Sequence, residues 1–481
     1  MEIIEFLQFY SKHNGEKLPK HVAADFRKLV KQFDGDDFAS TSKRFLRDLT
    51  RDDCYDEDGK KILDKKLEWL ASVAIQNPNL LSNELPWLVS ETSSATFWFG
   101  RRMSHADTYR EILPLILSEY KHQNCLHSTM LLCGYLSAIG GKNMQEWEAI
   151  VLDLAKDKLF TSHFSDIVIQ SGMTDAAVLK TIELCESGLL PLEKLKNWCY
   201  ADAIKAISEP VFHQLIELQL FSRTEEMWEN SLQMCNNYYS NERSLPESLI
   251  FRVLCEQKTM SSKIADSAGY CWTELANRFI ASYPHRKWDV FKAGLMQESS
   301  LLRCIEYHKE GFMTQLTADS PSRAWSSIKE VLEELKDGKW AIASWLSGDM
   351  TSTFGHTAFG PIQYISPSEI FSWVESDRKN RAYWLCQVLP QTLNESPSGR
   401  LARNFLARFG NDEITYRSFT TRFMNRSWSG SESEHCRELR DEARNWLKGE
   451  TNKIVVTWIE EYIEALGYDI QRAEIEEERG F

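Results

Sequence analysis

Side chains able to do chemistry are scattered along this chain, and each group can be held against the spacing its chemistry demands. His122, Cys125, His127 and Cys133 are crowded enough to suggest zinc. A structural zinc site needs four ligands in recognised pairs. These spacings match none, and Leu126, Met130, Leu131 and Leu132 read as a buried helix. Asp56 and Asp58 fit a calcium loop if Gly59 takes its sixth position, but Cys54 and Lys65 then stand where carboxylates are required. A solvated linker is the simpler reading. The glycines Gly134, Gly140 and Gly141 before Lys142 resemble a phosphate loop only loosely. The spacing is wrong, the following hydroxyl is missing, and the preceding run is helical, so a helix C-cap is expected. His435 and Cys436 could pair as base and nucleophile, but adjacent helical residues point about 100° apart and cannot easily share a proton. Neither HExxH nor GxSxG occurs. The run Glu474 to Glu478 could supply paired carboxylates, although such runs normally form a solvated face. No catalytic residue, cofactor or metal is assigned.

Residues suited to binding stand out more. Of the 16 Trp, Trp69, Trp87, Trp98, Trp147, Trp198, Trp228 and Trp272 mostly lie in apolar stripes and are expected to fill gaps between helices. Two loop regions are different. One holds Phe354, His356, Phe359 and Tyr364 among glycines; the other is Trp428-Ser429-Gly430-Ser431 followed by Glu432, Glu434 and His435. Aromatic residues presented by a rigid scaffold build interaction surfaces. Phe354, His356, Phe359, Tyr364, Trp428, Glu432 and His435 are therefore the candidate partner-binding residues. Residues 1–51 carry ten Lys and Arg against eight acids. Arg27, Lys28, Lys31, Arg44 and Arg47 are the candidates there if the partner is a nucleic acid.

The elements that must carry these residues are helical. Ile328, Val331, Leu332 and Leu335 recur at i, i+3, i+4, i+7, and Val455, Ile459, Tyr462, Ile463, Leu466 and Ile470 do the same. Val178, Ile182 and Cys185 make a shorter stripe. Ser366-Pro367-Ser368-Glu369 predicts a capping box, Ser320-Pro321 and Ser396-Pro397 predict helix starts, and Thr174 predicts an N-cap with Gly188 as the stop. Gly410 should close one helix and Asn411 open the next. Sparse Gly (22) and Pro (13) in 481 residues argue against sandwiches and barrels.

The pattern predicts an all-α fold: an irregular HEAT-like helical-repeat array, or α-solenoid, of about 20 helices. Its expected parts are an N-terminal helical cap (1–58), the array (59–348), an inter-block loop (349–365) and a C-terminal helical block (366–481). A net charge of −14 disfavours bulk nucleic-acid binding. The 11 cysteines lack CxxC spacing and read as buried free thiols. With no leader-like start and no apolar run of membrane length, a cytoplasmic protein is expected.

Four passages carry a family resemblance. They are Gln170-Ser171-Gly172-Met173-Thr174 leading to Glu186-Ser187-Gly188, Ile365-Ser366-Pro367-Ser368-Glu369 before Trp373, Ala407-Arg408-Phe409-Gly410-Asn411-Asp412-Glu413, and Trp428-Ser429-Gly430 with His435, Trp446, Trp458 and the closing Glu-rich helix. Together they resemble the HEAT-like helical regions of prokaryotic anti-phage defence proteins, attached there to STAND/NACHT-type NTPases or sirtuin-like effectors. The resemblance spans about the last two-thirds of the chain. It implies a non-enzymatic scaffold or sensor in a bacterial defence system, holding a protein partner: an effector, an NTPase or a phage protein. No NTPase, sirtuin or nuclease motif precedes the array, so the effector is either a separate protein or part of a longer chain. Two alternatives stay open: an effector enzyme (nuclease or nucleotide-modifying) with an unfamiliar site, and a nucleic-acid-binding helical protein.

Overall fold

The structure, a computed structural model, describes residues 37–47, 63–124, 126–200, 202–240, 243–255, 266–296, 311–335, 339–348, 360–425 and 428–479, with isolated positions 22, 25, 302, 305 and 306. Over these residues the chain is all-α, 81% helical, with about 25 helices and no strand. The excess over the expected 20 comes partly from short 3-10 segments such as Asp202–Ala206 and Pro284–Arg286, which are too brief to show an apolar period. The chain divides into two compact units, Met1–Tyr238 and Tyr239–Phe481.

The first unit contains α1 (Leu63–Gln76), α2 (Pro78–Leu88), α3 (Ser94–Ala106), α4 (Ile112–Gln123), α5 (Met130–Lys142), α6 (Met144–Leu154), α7 (Phe164–Ser171), α8 (Asp175–Glu186), α9 (Glu209–Ser222) and α10 (Glu225–Tyr238). Alternate elements pack side by side. The sequence α1, α3, α5, α7, the 3-10 helix Leu192–Tyr200 and α10 forms one row of successive neighbours. In a second row α2 meets α4, α6 meets α8, and α8 meets α9. Side chains link corresponding turns. Gln123 donates to the Pro86 carbonyl (2.6 Å), Ser128 to that of Glu91 (2.6 Å) and Asn230 to that of Leu195 (3.2 Å). These partners lie 37, 37 and 35 residues apart.

The closest approach is between α3 and α5. A Cβ on Gly134 would sit 1.9 Å from the Phe97 carbonyl oxygen, and one on Gly100 2.3 Å from that of Leu131. Glycine is required at both positions because the helix backbones touch. Gly134 and Gly140 therefore lie inside α5, the expected cap being replaced by Asn143 at its end. Asn143 then caps α6, its side chain accepting from the Gln145 and Glu146 amides.

The second unit contains α11 (Glu247–Cys255), α12 (Asp266–Ser282), α13 (Lys287–Leu295), α14 (Phe312–Asp319), α15 (Pro321–Glu334), α16 (Lys339–Ser347), α17 (Pro367–Ser376), α18 (Arg378–Val388), α19 (Pro397–Phe409), α20 (Glu413–Met424), α21 (Glu432–Leu447) and α22 (Lys453–Glu478). Alternate packing recurs: α11 with α13 and α13 with α15, then α16 with α18 and α18 with α20. The last two helices form an extensive hairpin. Its core is aromatic, with Trp458 edge-on to Phe419 and Phe423 and stacked on Tyr462.

Most residues of the predicted stripes face inward, while Leu335, Ile463 and Cys185 are only partly buried. Ile328, Val331 and Leu332 are buried on α15, as are Val455, Ile459, Tyr462, Leu466 and Ile470 on α22. The starts agree in part. Thr174 accepts from the Ala177 amide, Gly188 follows the end of that helix at φ 70°, and Ser396 accepts from Gly399. Ser366 occupies the N-cap with Pro367 inside, but no capping box forms. Ser366 Oγ pairs with Ser368 Oγ, and Glu369 accepts from Ser322 on α15 instead (3.1 Å). A packed neighbour has outcompeted the local cap. The cap after Gly410 is Asp412 rather than Asn411, its carboxylate accepting from the Thr415 amide and hydroxyl.

Candidate functional site

Trp428, Glu432 and His435 come together where α21 begins. Ser431 caps the helix by accepting from the Glu434 amide. The turn places the indole of Trp428, 46% exposed, parallel to the His435 ring at 6.3 Å. Glu432 is paired with Arg472 of α22 at 2.8 Å. Glu477 of α22 closes the same corner by accepting from Ser431 Oγ and from the Ser433 amide and hydroxyl. These bonds hold the Glu477 carboxyl below its usual range. The corner thus holds an aromatic pair beside the Glu432–Arg472 ion pair and a hydrogen-bonded Glu477 carboxylate. Cys436 is buried beneath it.

Tyr364 ends the 3-10 turn Pro361–Tyr364 and is 43% exposed, while Pro361 and Ile362 beneath it are buried. Among the described residues no hydrogen bond, ion pair or ring contact joins it to the Trp428 corner. Phe354, His356 and Phe359 lie outside the described residues, as do Arg27, Lys28 and Lys31. Arg44 and Arg47 fall on the π-helical turn Lys43–Arg47, which packs on α3. Arg44 lies over the Phe45 ring at 5.5 Å, and Lys66 approaches that ring at 5.8 Å.

The crowded His and Cys residues part company. His122 is 84% exposed beside Glu119, whereas Cys133 is fully buried in α5 and burial pushes its thiol up to about 12. Cys125 lies outside the described residues. Among the described residues no group of three His, Cys, Asp or Glu is placed to hold a metal ion.

A second surface had no counterpart among the sequence candidates. Trp69 and Trp98, expected to be core, are 41% and 44% exposed on α1 and α3. The Arg101 guanidinium lies over the Trp98 ring at 5.3 Å. At the end of α3, Lys142 Nζ donates to the His105 carbonyl across the α3–α5 seam (3.4 Å). Burial, then the charges of Lys142, Arg101, Arg102 and Arg110, hold the His105 imidazole below its usual value. Arg102 is already paired with Asp64 and Glu68, and Arg110 with Glu146.

The floor of this surface is rigid. The buried Asp107 carboxylate accepts from the Glu111 and Ile112 amides and from the Tyr135 hydroxyl (2.6 Å). Arg110, at φ 61°, turns back to donate to the Ser104 and Asp107 carbonyls. A non-glycine residue in that conformation is held by its bonds. The sequence signal for this surface was available: α3 and α5 contain Arg101, Arg102 and Lys142 and not one carboxylate, in a chain of net charge −14.

A shallow groove between α15 and α17 is lined by Lys329, Ser368, Glu369, Ser372, Trp373 and Ser376. Its groups serve the helix pair, Ser376 donating to the Trp373 carbonyl and Glu369 accepting from Ser322. Among the described residues no helix is long and apolar enough to cross a membrane.

The class this architecture defines is an all-helical protein, with no strand among the described residues. Comparison with protein-family models, curated proteins and solved structures gave no match.

Proposed function

We propose that this chain is a non-enzymatic interaction protein, a HEAT-like helical-repeat scaffold or sensor arm that holds a protein partner. The observation that carries the reading is the pairing of large exposed aromatics with rigid helical supports. Trp428 is fixed against His435 at a capped helix start, and Trp98 is fixed under Arg101 on the helix seam. Trp, Tyr and Arg dominate the energetics of protein interfaces, and a preorganised support lowers the ordering cost of binding. The repeat reading is supported by alternate elements that pack in rows and by side-chain links recurring 35 to 38 residues apart in the first unit. Such arrays bury their core between neighbours and leave a long surface for partners.

The family resemblance supplies the setting of the proposal: bacterial anti-phage defence, with an effector, an NTPase or a phage protein as partner. The test is affinity capture from the native host before and after phage challenge, comparing the wild type with Trp428→Ala and Trp98→Ala. A partner retained by the wild type and weakened by either substitution is expected. Recovery of the same proteins by all three forms would overturn the reading.

A further inference from the structure

We propose that Trp98 and Arg101 in the middle of α3, with His105 and Lys142 at the ends of α3 and α5, form a docking site for a short acidic segment of a protein partner. The inference rests on the interaction reading above and gives that partner a chemistry.

The charge accounting favours an anionic occupant. The cations around His105 are Lys142, Arg101, Arg102 and Arg110. Asp64 and Glu68 already neutralise Arg102, and Glu146 neutralises Arg110. Among the described residues Arg101 and Lys142 form no ion pair. Two cations with no ion pair among the described residues therefore flank an imidazole whose pKa is lowered by burial and by the same charges, in a chain of net charge −14. A carboxylate placed between them gains charge-assisted hydrogen bonds that none of the described residues supplies.

The footprint favours a peptide over a nucleic acid. Phosphate-backbone binding typically draws on about six to ten cationic contacts, and a strongly acidic chain repels a long polyanion. Two cations that form no ion pair among the described residues, one of them over a half-exposed indole, suit a short segment with one or two carboxylates and an apolar anchor. The site is preformed. Backbone contact at Gly100 and Gly134 fixes the two helices, and the Asp107–Tyr135 and Arg110–Glu146 bonds fix the turn after α3.

The experiment measures fluorescence anisotropy of a labelled Glu-rich peptide with one central Leu, titrated with the full chain. Parallel titrations use the Gln version of that peptide and oligo-dT. Saturable binding of the Glu peptide is expected, weakened by salt and reduced about tenfold by the R101E/K142E variant. The His105 ring signal in NMR should titrate at higher pH once the peptide is bound. Far-UV circular dichroism and the melting temperature establish that the variant is folded. Equal binding of the Glu and Gln peptides, or unchanged binding by the folded variant, would overturn the proposal. Tighter binding of oligo-dT would overturn it in favour of a nucleic acid. If the site fails while the partner is still captured by R101E/K142E and lost by Trp428→Ala, the interaction reading stands without it.

Discussion

Cys133 shows how burial decides chemistry at the scale of one residue. Its thiol is pushed up to about 12 by loss of solvent, and so is that of Cys386. Cys185 reaches about 12 through burial and the nearby Glu193 and Glu186. The thiolate is the reactive form. Iodoacetamide at about pH 8 should therefore leave these three unmodified in the native protein and label them in guanidinium, as read by peptide mapping; native labelling of Cys133 would contradict this.

Glu306 is the buried counterpart among the acids. Its carboxylate accepts from the Met313 amide (2.7 Å) and the Thr314 hydroxyl (2.5 Å) at the start of α14. Burial raises its pKa above 4.5, with the hydrogen bonds opposing. A raised folded-state value means that its stabilising contribution is complete below about 4.5 and is lost as pH rises through the folded value. Glu306→Gln cannot ionise, so its stability relative to wild type should improve between about pH 4 and pH 8. Denaturant midpoints across that range test this, and parallel curves would refute it. Leu131 and Leu132 made the burial of Cys133 legible in the sequence. Nothing local distinguishes Glu306 from the solvated glutamates, because its burial is set by distant packing.

Among elements, the α3–α5 seam is the most exacting. Gly134→Ala would force its new Cβ into the Phe97 carbonyl, and separating the two helices should cost about 3 kcal/mol. Gly141→Ala, with open space around it, should be near neutral. Thermal melts of the two variants make the comparison, and equal losses would contradict the packing account.

Arg403 of α19 grips Glu450, just before α22, at 2.6 and 2.7 Å. Burial raises the Glu450 pKa, but the Arg403 bonds and the Asn452 and Thr451 amides outweigh it and leave the net value lowered. That contribution is present above about 4.5 and is lost as pH falls through the folded value. Glu450→Ala should cost about 1–2 kcal/mol at neutral pH and less in acid, measured by chemical denaturation.

Helix positions were legible because Pro, Ser and Thr act locally and apolar periods are local. The failure of the capping box at Ser366 has the opposite cause, since Ser322 on another helix claimed Glu369. The exposure of Trp98 was misjudged because an indole in an apolar stretch reads as core unless the neighbouring helix is known.

At the scale of the whole molecule, the all-helical class was readable from sparse turn residues and a pervasive helical period. The row packing of alternate helices was not, because no residue pattern marks the linked turns. Function is less local still. The candidates at Trp428, Glu432 and His435 were visible as a Gly- and Ser-rich aromatic turn, whereas the surface at Trp98 and Lys142 depends on two helices meeting.

If these surfaces serve binding, Trp98 and Trp428 are touched by another protein. Photoreactive benzoyl-phenylalanine in place of Trp98 or Trp428, irradiated in the native host with and without phage, tests it most directly. A discrete adduct with one protein from at least one of these positions, and none from the exposed control position Lys156, is predicted. Adducts no different from those at Lys156 would contradict the claim.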